Sequence, residues 1–173
     1  IDPNIVHKSK TVENQIQFFQ FNGQSLPLPT EIEISESGTC NRSCSFCPRS
    51  AANFIDKKEF ITNKLHEKLC VELKELNYKG TIRYSGFVEP MLDKNIFNLI
   101  NMVRNHLPES NIEMVTNGDP LNLKRLKKLF ESGLNKILIS AYDGKVESEK
   151  LEDLCVQANL NEKQYIVRHR YYS

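Results

Sequence analysis

Apolar residues recur along this chain in two alternating rhythms. Ile32 and Ile34 fall on every second position of residues 31–35, the spacing of a strand. Ile61, Leu65, Leu69, Leu73 and Leu76 then follow at steps of four, four, four and three, which predicts a helix over residues 59–76 with that stripe inward. Lys79-Gly80 breaks the pattern, and residues 81–85 form a second strand closed by Gly86. Asp93 is placed to cap a helix carrying Ile96, Phe97, Ile100, Val103 and Leu107, which Pro108 ends. Residues 112–116 make a third strand, followed by the turn Asn117-Gly118-Asp119-Pro120. Leu123, Leu126, Leu129 and Phe130 mark a helix stopped at Gly133. Residues 136–140 are a fourth strand, residues 146–158 a helix with Leu151, Leu154 and Cys155 on one side, and residues 164–170 a fifth strand.

Strand and helix in strict alternation predict an α/β fold, with parallel strands and helices packed outside them. Right-handed crossovers wind such a sheet in one direction. The polar and glycine-bearing stretches 40–47, 86–90, 117–118 and 140–144 all fall at C-terminal strand ends. In parallel sheets and barrels that edge carries the active site, so four distant segments are expected to meet at one mouth. The first 29 residues stand apart as an extension expected to pack on the main unit, residues 30–173. Val12, Ile16 and Phe19 have helical spacing there, and Leu26-Pro27-Leu28-Pro29 reads as a connector without sustained hydrogen bonding.

Composition narrows the class. A chain of 173 residues fits one domain, and a formal net charge of +1 supplies no global attraction to nucleic acid or an anionic membrane. The basic run Lys124-Arg125-Lys127-Lys128 has no interleaved aromatics and reads as a solvated helix face. No run of about 18 apolar residues or signal-peptide core is present, so a cytoplasmic location without a membrane span is expected. The cysteines number five, an odd count. With three of them clustered, a reducing compartment fits better than a disulfide scaffold. Cys70 and Cys155 lie in helical patterns and read as small buried hydrophobes.

The chemistry is concentrated in Cys40-Asn41-Arg42-Ser43-Cys44-Ser45-Phe46-Cys47. Thiolates at this spacing can converge on a soft metal centre. A fourth thiolate is not supplied nearby. Structural zinc wants four ligands in a closed site, and His66 sits beyond a long spacer inside a helical pattern. An iron–sulfur centre with one open position is the better reading; a zinc or iron–sulfur scaffold without catalysis is the rival. Arg42 and Arg49 flank the loop and are placed to offset thiolate charge, while Pro48 stiffens its exit. Arg168 and Arg170 share one face of the last strand, with His169 on the other.

The Cys40-x3-Cys44-x2-Cys47 loop after a first strand resembles that of the radical S-adenosylmethionine (radical SAM) enzymes. Tyr84-Ser85-Gly86-Phe87-Val88-Glu89-Pro90-Met91-Leu92 resembles the family's glycine-glycine-glutamate-proline segment, with Val88 where a glycine is common. Thr116-Asn117-Gly118 and Ile139-Ser140-Ala141-Tyr142-Asp143-Gly144 are similar to the ends of its third and fourth strands. The likeness is nearest to the branch of peptide-maturing, sulfatase-activating and molybdenum-cofactor enzymes. It implies a parallel (β/α) partial TIM-type barrel, with about five strands of an expected six in this chain. It implies a [4Fe-4S] cluster on Cys40, Cys44 and Cys47, with S-adenosylmethionine chelating the open iron. One electron from a flavodoxin- or ferredoxin-type donor would cleave the sulfonium to a 5'-deoxyadenosyl radical that abstracts hydrogen from a substrate. The branch suggests a peptide substrate; modification of tRNA or a small metabolite is the alternative. The resemblance assigns cofactor contacts to Phe46, Ser85, Gly86, Glu89, Asn117, Ser140, Asp143 and Arg168, with Glu89 the acceptor for the methionine ammonium.

Overall fold

The computed structural model describes residues 5–7, 9 and 16–171. A hairpin of β1 (Phe18–Phe21) and β2 (Gln24–Pro27) comes first. The main unit runs β3 (Glu31–Ile34), α1 (Asn63–Glu75), β4 (Thr81–Tyr84), α2 (Ile96–His106), β5 (Asn111–Thr116), α3 (Leu123–Glu131), β6 (Lys136–Ala141), α4 (Lys145–Gln157) and β7 (Tyr165–His169). The five strands from β3 to β7 stand in sequence order, every neighbour parallel. This is the α/β winding that the two periodicities predict.

Each strand sorts its residues by parity. Ile82 and Tyr84 of β4, Ile112 and Met114 of β5, and Ile137 and Ile139 of β6 are buried in the core, as are Leu99, Ile100 and Val103 of α2 and Leu126 and Leu129 of α3. Each such side chain stabilises the fold by roughly 1.5–3 kcal/mol on burial. The opposite parity carries polar side chains beside the apolar Val115 and Leu138. Glu33, Arg83, Ser85, Asn117, Ser140 and Arg168 line a cavity there. Arg83 and Glu113 are fully buried, and Arg83 Nη2 lies 2.8 Å from Glu31 Oε2 and 2.7 Å from Glu113 Oε2. Glu113 Oε1 also takes Asn111 Nδ2 and meets His7 Nε2, each at 2.7 Å. Burial alone would raise the Glu113 carboxyl, but His7 and Arg83 bring it down to about 2.

Several local readings change. The helix predicted over 59–76 begins at Asn63, because Phe60 bridges to Ser37 and the Thr62 side chain caps Leu65 N. Its inward face is His66, Cys70 and Leu73, whereas Leu65 is 58% exposed and Leu76 lies at the surface. Leu73 keeps its inward place while the face turns toward His66 and Cys70, and the histidine is accommodated in the core by pairing Nε2 with the Tyr84 hydroxyl at 2.9 Å. Asp93 does not cap α2; Asn95 stands at that position, and Asp93 Oδ1 accepts from Asn95 N at 2.8 Å. Residues 24–27 are not a connector but the second strand of the hairpin, turned by Asn22 and Gly23 at φ 49° and 76°. Of the helical spacing read in the extension, Val12 lies outside the described residues and Phe19 belongs to β1. Phe19 and Leu28 pack into the main core. Among the described residues, no helix is long and apolar enough to cross a membrane.

Candidate active site

The loop after β3 presents Cys40, Cys44 and Cys47, all half-buried, on the wall of a cavity of about 440 Å³. Cys47 N donates to Cys44 O at 2.9 Å, and Pro48–Ser50 form a short 3-10 turn that carries the chain away. Cys40 Sγ accepts from Arg42 N at 3.5 Å and from Asn117 Nδ2 at 3.9 Å. Burial pushes the Cys44 thiol up, with the Arg42 charge opposing.

The donor set fits an iron–sulfur cube better than a single ion. Three ligands of one tetrahedral zinc would have sulfurs about 3.8 Å apart, from Zn–S bonds of about 2.3 Å. Among the described residues, the cysteine sulfurs form no group within 4.8 Å; the one triplet that does is Asp119, Asp143 and Glu147. Three soft thiolates that do not all lie within that distance suit the separate iron corners of a cluster.

Every strand end of the main sheet contributes to the cavity. Ser35 follows β3; Ser85, Gly86 and Glu89 follow β4; Asn117 follows β5; Ser140 lies in β6 and Tyr142 just after it; Arg168 lies in β7 and Arg170 just after it. Gly86 adopts φ 121°, and a Cβ there would stand 2.1 Å from Ser35 Oγ. Positive φ is therefore supplied at Gly86. Among the described residues, the non-glycine positions with positive φ are Asn22, Asn77 and Asn159, and Val88 is not one of them.

Glu89 is 1% exposed. Its Oε1 accepts from Met91 N at 3.0 Å and Thr116 Oγ1 at 2.6 Å, and its Oε2 from Asn117 N at 2.7 Å. Burial raises its carboxyl, and these three donors oppose that rise. Of the roughly four acceptor positions of a carboxylate, about one remains for a ligand. Phe46 lines the cavity but is 63% exposed, stacked on Tyr142 at 5.7 Å and 29° with the Arg170 guanidinium 5.8 Å from its ring.

Of the eleven residues singled out, Asp143 alone does not line the cavity; its two oxygens lie 2.9 and 2.7 Å from Arg42 Nη1 and Nη2. Arg42 does not simply balance the thiolates either, because Asp119, Asp143 and Glu147 surround it. Arg49 instead bonds Gly38 O, Phe87 O and Asp56, tying the cysteine loop to the end of β4. Among the lining residues to which the sequence reading gave no site role are Glu33, Arg83 and Tyr142. Strand parity was the available signal for Arg83, two residues before Ser85 on the same face. Arg83 Nε and Nη1 have no hydrogen-bond partner among the described residues.

The sequence profile of the Radical SAM superfamily matches residues 34–165. The chain belongs to that superfamily. Enzymes of the radical SAM superfamily use a [4Fe-4S] cluster and S-adenosylmethionine. Among curated relatives, an S-adenosyl-L-methionine-dependent 2-deoxy-scyllo-inosamine dehydrogenase of Niallia circulans is 32% identical over 113 residues, 65% of this chain and 45% of the relative. A GTP 3',8-cyclase of Aquifex aeolicus is 31% identical over 120 residues, covering 68% and 36%. This radical SAM chain thus spans less than half the length of those two relatives. In structure it resembles BtrN solved in complex with AdoMet and 2-DOIA, at TM-score 0.69 and 26% identity over 81% of this chain and 56% of that one. Methylornithine synthase (PylB) shares the fold at TM-score 0.56 and 20% identity, over 79% and 42%.

Proposed function

We infer that this chain holds a [4Fe-4S] cluster and S-adenosylmethionine in the cavity and cleaves the latter reductively, as part of a radical SAM enzyme acting on a small polar molecule. The observation that carries the reading is the convergence of three half-buried thiolates and all five strand ends on one cavity wall. When bound, the pair supplies one-electron cleavage of the sulfonium, giving methionine and a 5'-deoxyadenosyl radical that takes a hydrogen atom from the substrate.

The chain's own residues hold and orient. Cys40, Cys44 and Cys47 would hold the cluster by three thiolates, with the methionine end of the cofactor expected at its remaining iron. The remaining acceptor position of Glu89 takes the methionine ammonium, a charge-assisted bond in a site shielded from water. Asn117 and Ser140 offer an amide and a hydroxyl to its carboxylate or ribose. Phe46 and Tyr142, stacked on one another, wall the loop side of the cavity. A low-potential flavodoxin- or ferredoxin-type donor supplies the electron. Glu33, Arg83 and Arg168, also on the cavity wall, offer charged and hydrogen-bonding groups suited to a small polar substrate. The substrates named for the two curated relatives are likewise small molecules.

The test is anaerobic iron–sulfur reconstitution, then low-temperature electron paramagnetic resonance of the reduced chain with and without S-adenosylmethionine. A reduced [4Fe-4S] signal that shifts with the cofactor, plus 5'-deoxyadenosine in the mixture, is expected. Tightly bound zinc without sulfide, or a cluster indifferent to the cofactor, would overturn the reading in favour of a scaffold.

A further inference from the structure

Arg42 sits between the first two cysteines, yet its side chain reaches out of the loop. Its Nε and Nη2 donate to Asp119 at 2.7 and 2.5 Å, and its Nη1 and Nη2 to Asp143 at 2.9 and 2.7 Å. Nη2 also lies 3.3 Å from Glu147, and the guanidinium lies over the Tyr142 ring at 5.3 Å. The partners are themselves anchored. Glu147 Oε2 accepts the backbone N–H groups of Tyr142 and Asp143, each at 2.7 Å. Asp119 Oδ2 also accepts Asn41 Nδ2 at 2.6 Å, and Asn41 Oδ1 accepts Asn117 Nδ2 at 2.8 Å. One guanidinium thereby joins the cysteine loop to the turn after β5, the end of β6 and the first turn of α4.

We propose that Arg42 is a positioning residue that clamps the cysteine loop onto the ends of β5 and β6, and so sets where the thiolates stand relative to Asn117 and Ser140. The proposal rests on the reading of those thiolates as cluster ligands. An ordinary surface ion pair contributes about 0–1 kcal/mol. This arrangement differs in kind: the Arg42 side chain is 18% exposed and bidentate to two carboxylates from different elements. The three carboxylates are not an open cation site, because the guanidinium already lies among them. Asp143, at the end of a strand motif associated with cofactor binding, acts here through Arg42 on the loop.

The clamp is tested in the whole chain with Arg42→Ala, Arg42→Lys and the double variant Asp119→Asn/Asp143→Asn. In the cofactor-free chain, hydrogen exchange across residues 40–49 is expected to speed up in Arg42→Ala and in the double variant. After reconstitution, iron and sulfide still load, because the three cysteines are intact. The cofactor-induced shift of the reduced cluster signal then requires about tenfold more S-adenosylmethionine, the scale of coupling among contacting charged groups. Arg42→Lys does not restore it, since one ammonium cannot fork across Asp119 and Asp143. Adding Arg42→Ala to the double variant causes little further change. Wild-type response in Arg42→Ala, or independent additive effects of the two sets, would overturn the clamp. If the wild-type signal ignores the cofactor, the cofactor reading fails. The clamp is then decided by hydrogen exchange, and unchanged protection in Arg42→Ala rejects it.

Discussion

Glu36 and His66 are both buried, and burial moves them in opposite directions. The Glu36 carboxyl is pushed up to about 7 from 4.5, and the His66 imidazole down to about 4 from 6.5. A carboxyl raised in the folded state binds its proton more tightly there, so its stabilisation fades as pH rises from about 4.5 to 7. A histidine held neutral does the reverse, and stability rises as pH climbs from about 4 to 6.5. Glu89 and Asp93, both raised by burial, add to the Glu36 direction. Between about pH 4.5 and 6.5 the two slopes oppose one another, and above about 6.5 the Glu36 loss is left, so the decline is expected between about pH 6.5 and 7. Glu36→Gln should flatten that profile and His66→Gln steepen it, each by up to about 1.4 kcal/mol per pH unit, as read from urea midpoints at constant slope. At Gly86, alanine would combine a left-handed φ with a clash on Ser35 Oγ. A loss of about 1–3 kcal/mol in chemical denaturation is expected. The three cysteines were legible at this scale because their spacing is local. The pairing of Arg83 was not, since an arginine inside a strand carries no sign of the two glutamates that meet it from neighbouring strands.

At the scale of elements, the rhythm of apolar residues located the strands and helices of the main unit, and the phase of one helix was misread. Leu65, Leu69, Leu73 and Leu76 form a regular stripe, of which Leu73 is buried and Leu69 packs half-buried against the core. His66 and Cys70 shift the inward face away from Leu65 because Tyr84 offers His66 a partner inside the core. Leu65→Ala is accordingly expected to cost less than about 0.5 kcal/mol. Leu99→Ala, at a fully buried position of α2, should cost about 2–5 kcal/mol in the same denaturation assay. Thr62→Ala removes the cap that begins α1 after the Ser37–Phe60 bridge, and should cost about 1 kcal/mol. The hairpin before β3 was missed although Asn22-Gly23 is a turn signal. Its strands are only four residues each, and the second ends at a proline.

Across the whole molecule, five parallel strands bring loops more than a hundred residues apart in sequence to one edge. Cys40, Glu89, Asn117, Ser140 and Arg168 line one cavity through that winding. Cys44→Ala should lose reconstituted iron and sulfide, whereas Cys155→Ala, in the core of α4, should keep both while lowering the unfolding midpoint; metal and sulfide assays beside a melting curve decide it. Local spacing was enough to specify the winding, the position of the functional edge and the three thiolates, because periodicity and short-range ligand spacing are written along the chain. Tertiary structure alone decided which charges face one another. It enclosed Arg83 between Glu31 and Glu113, committed the Glu89 oxygens to Thr116 and Asn117, and drew Asp143 away from the cavity to Arg42. Such pairings depend on strand register and on loop paths across different elements, and single-element patterning carries no record of either.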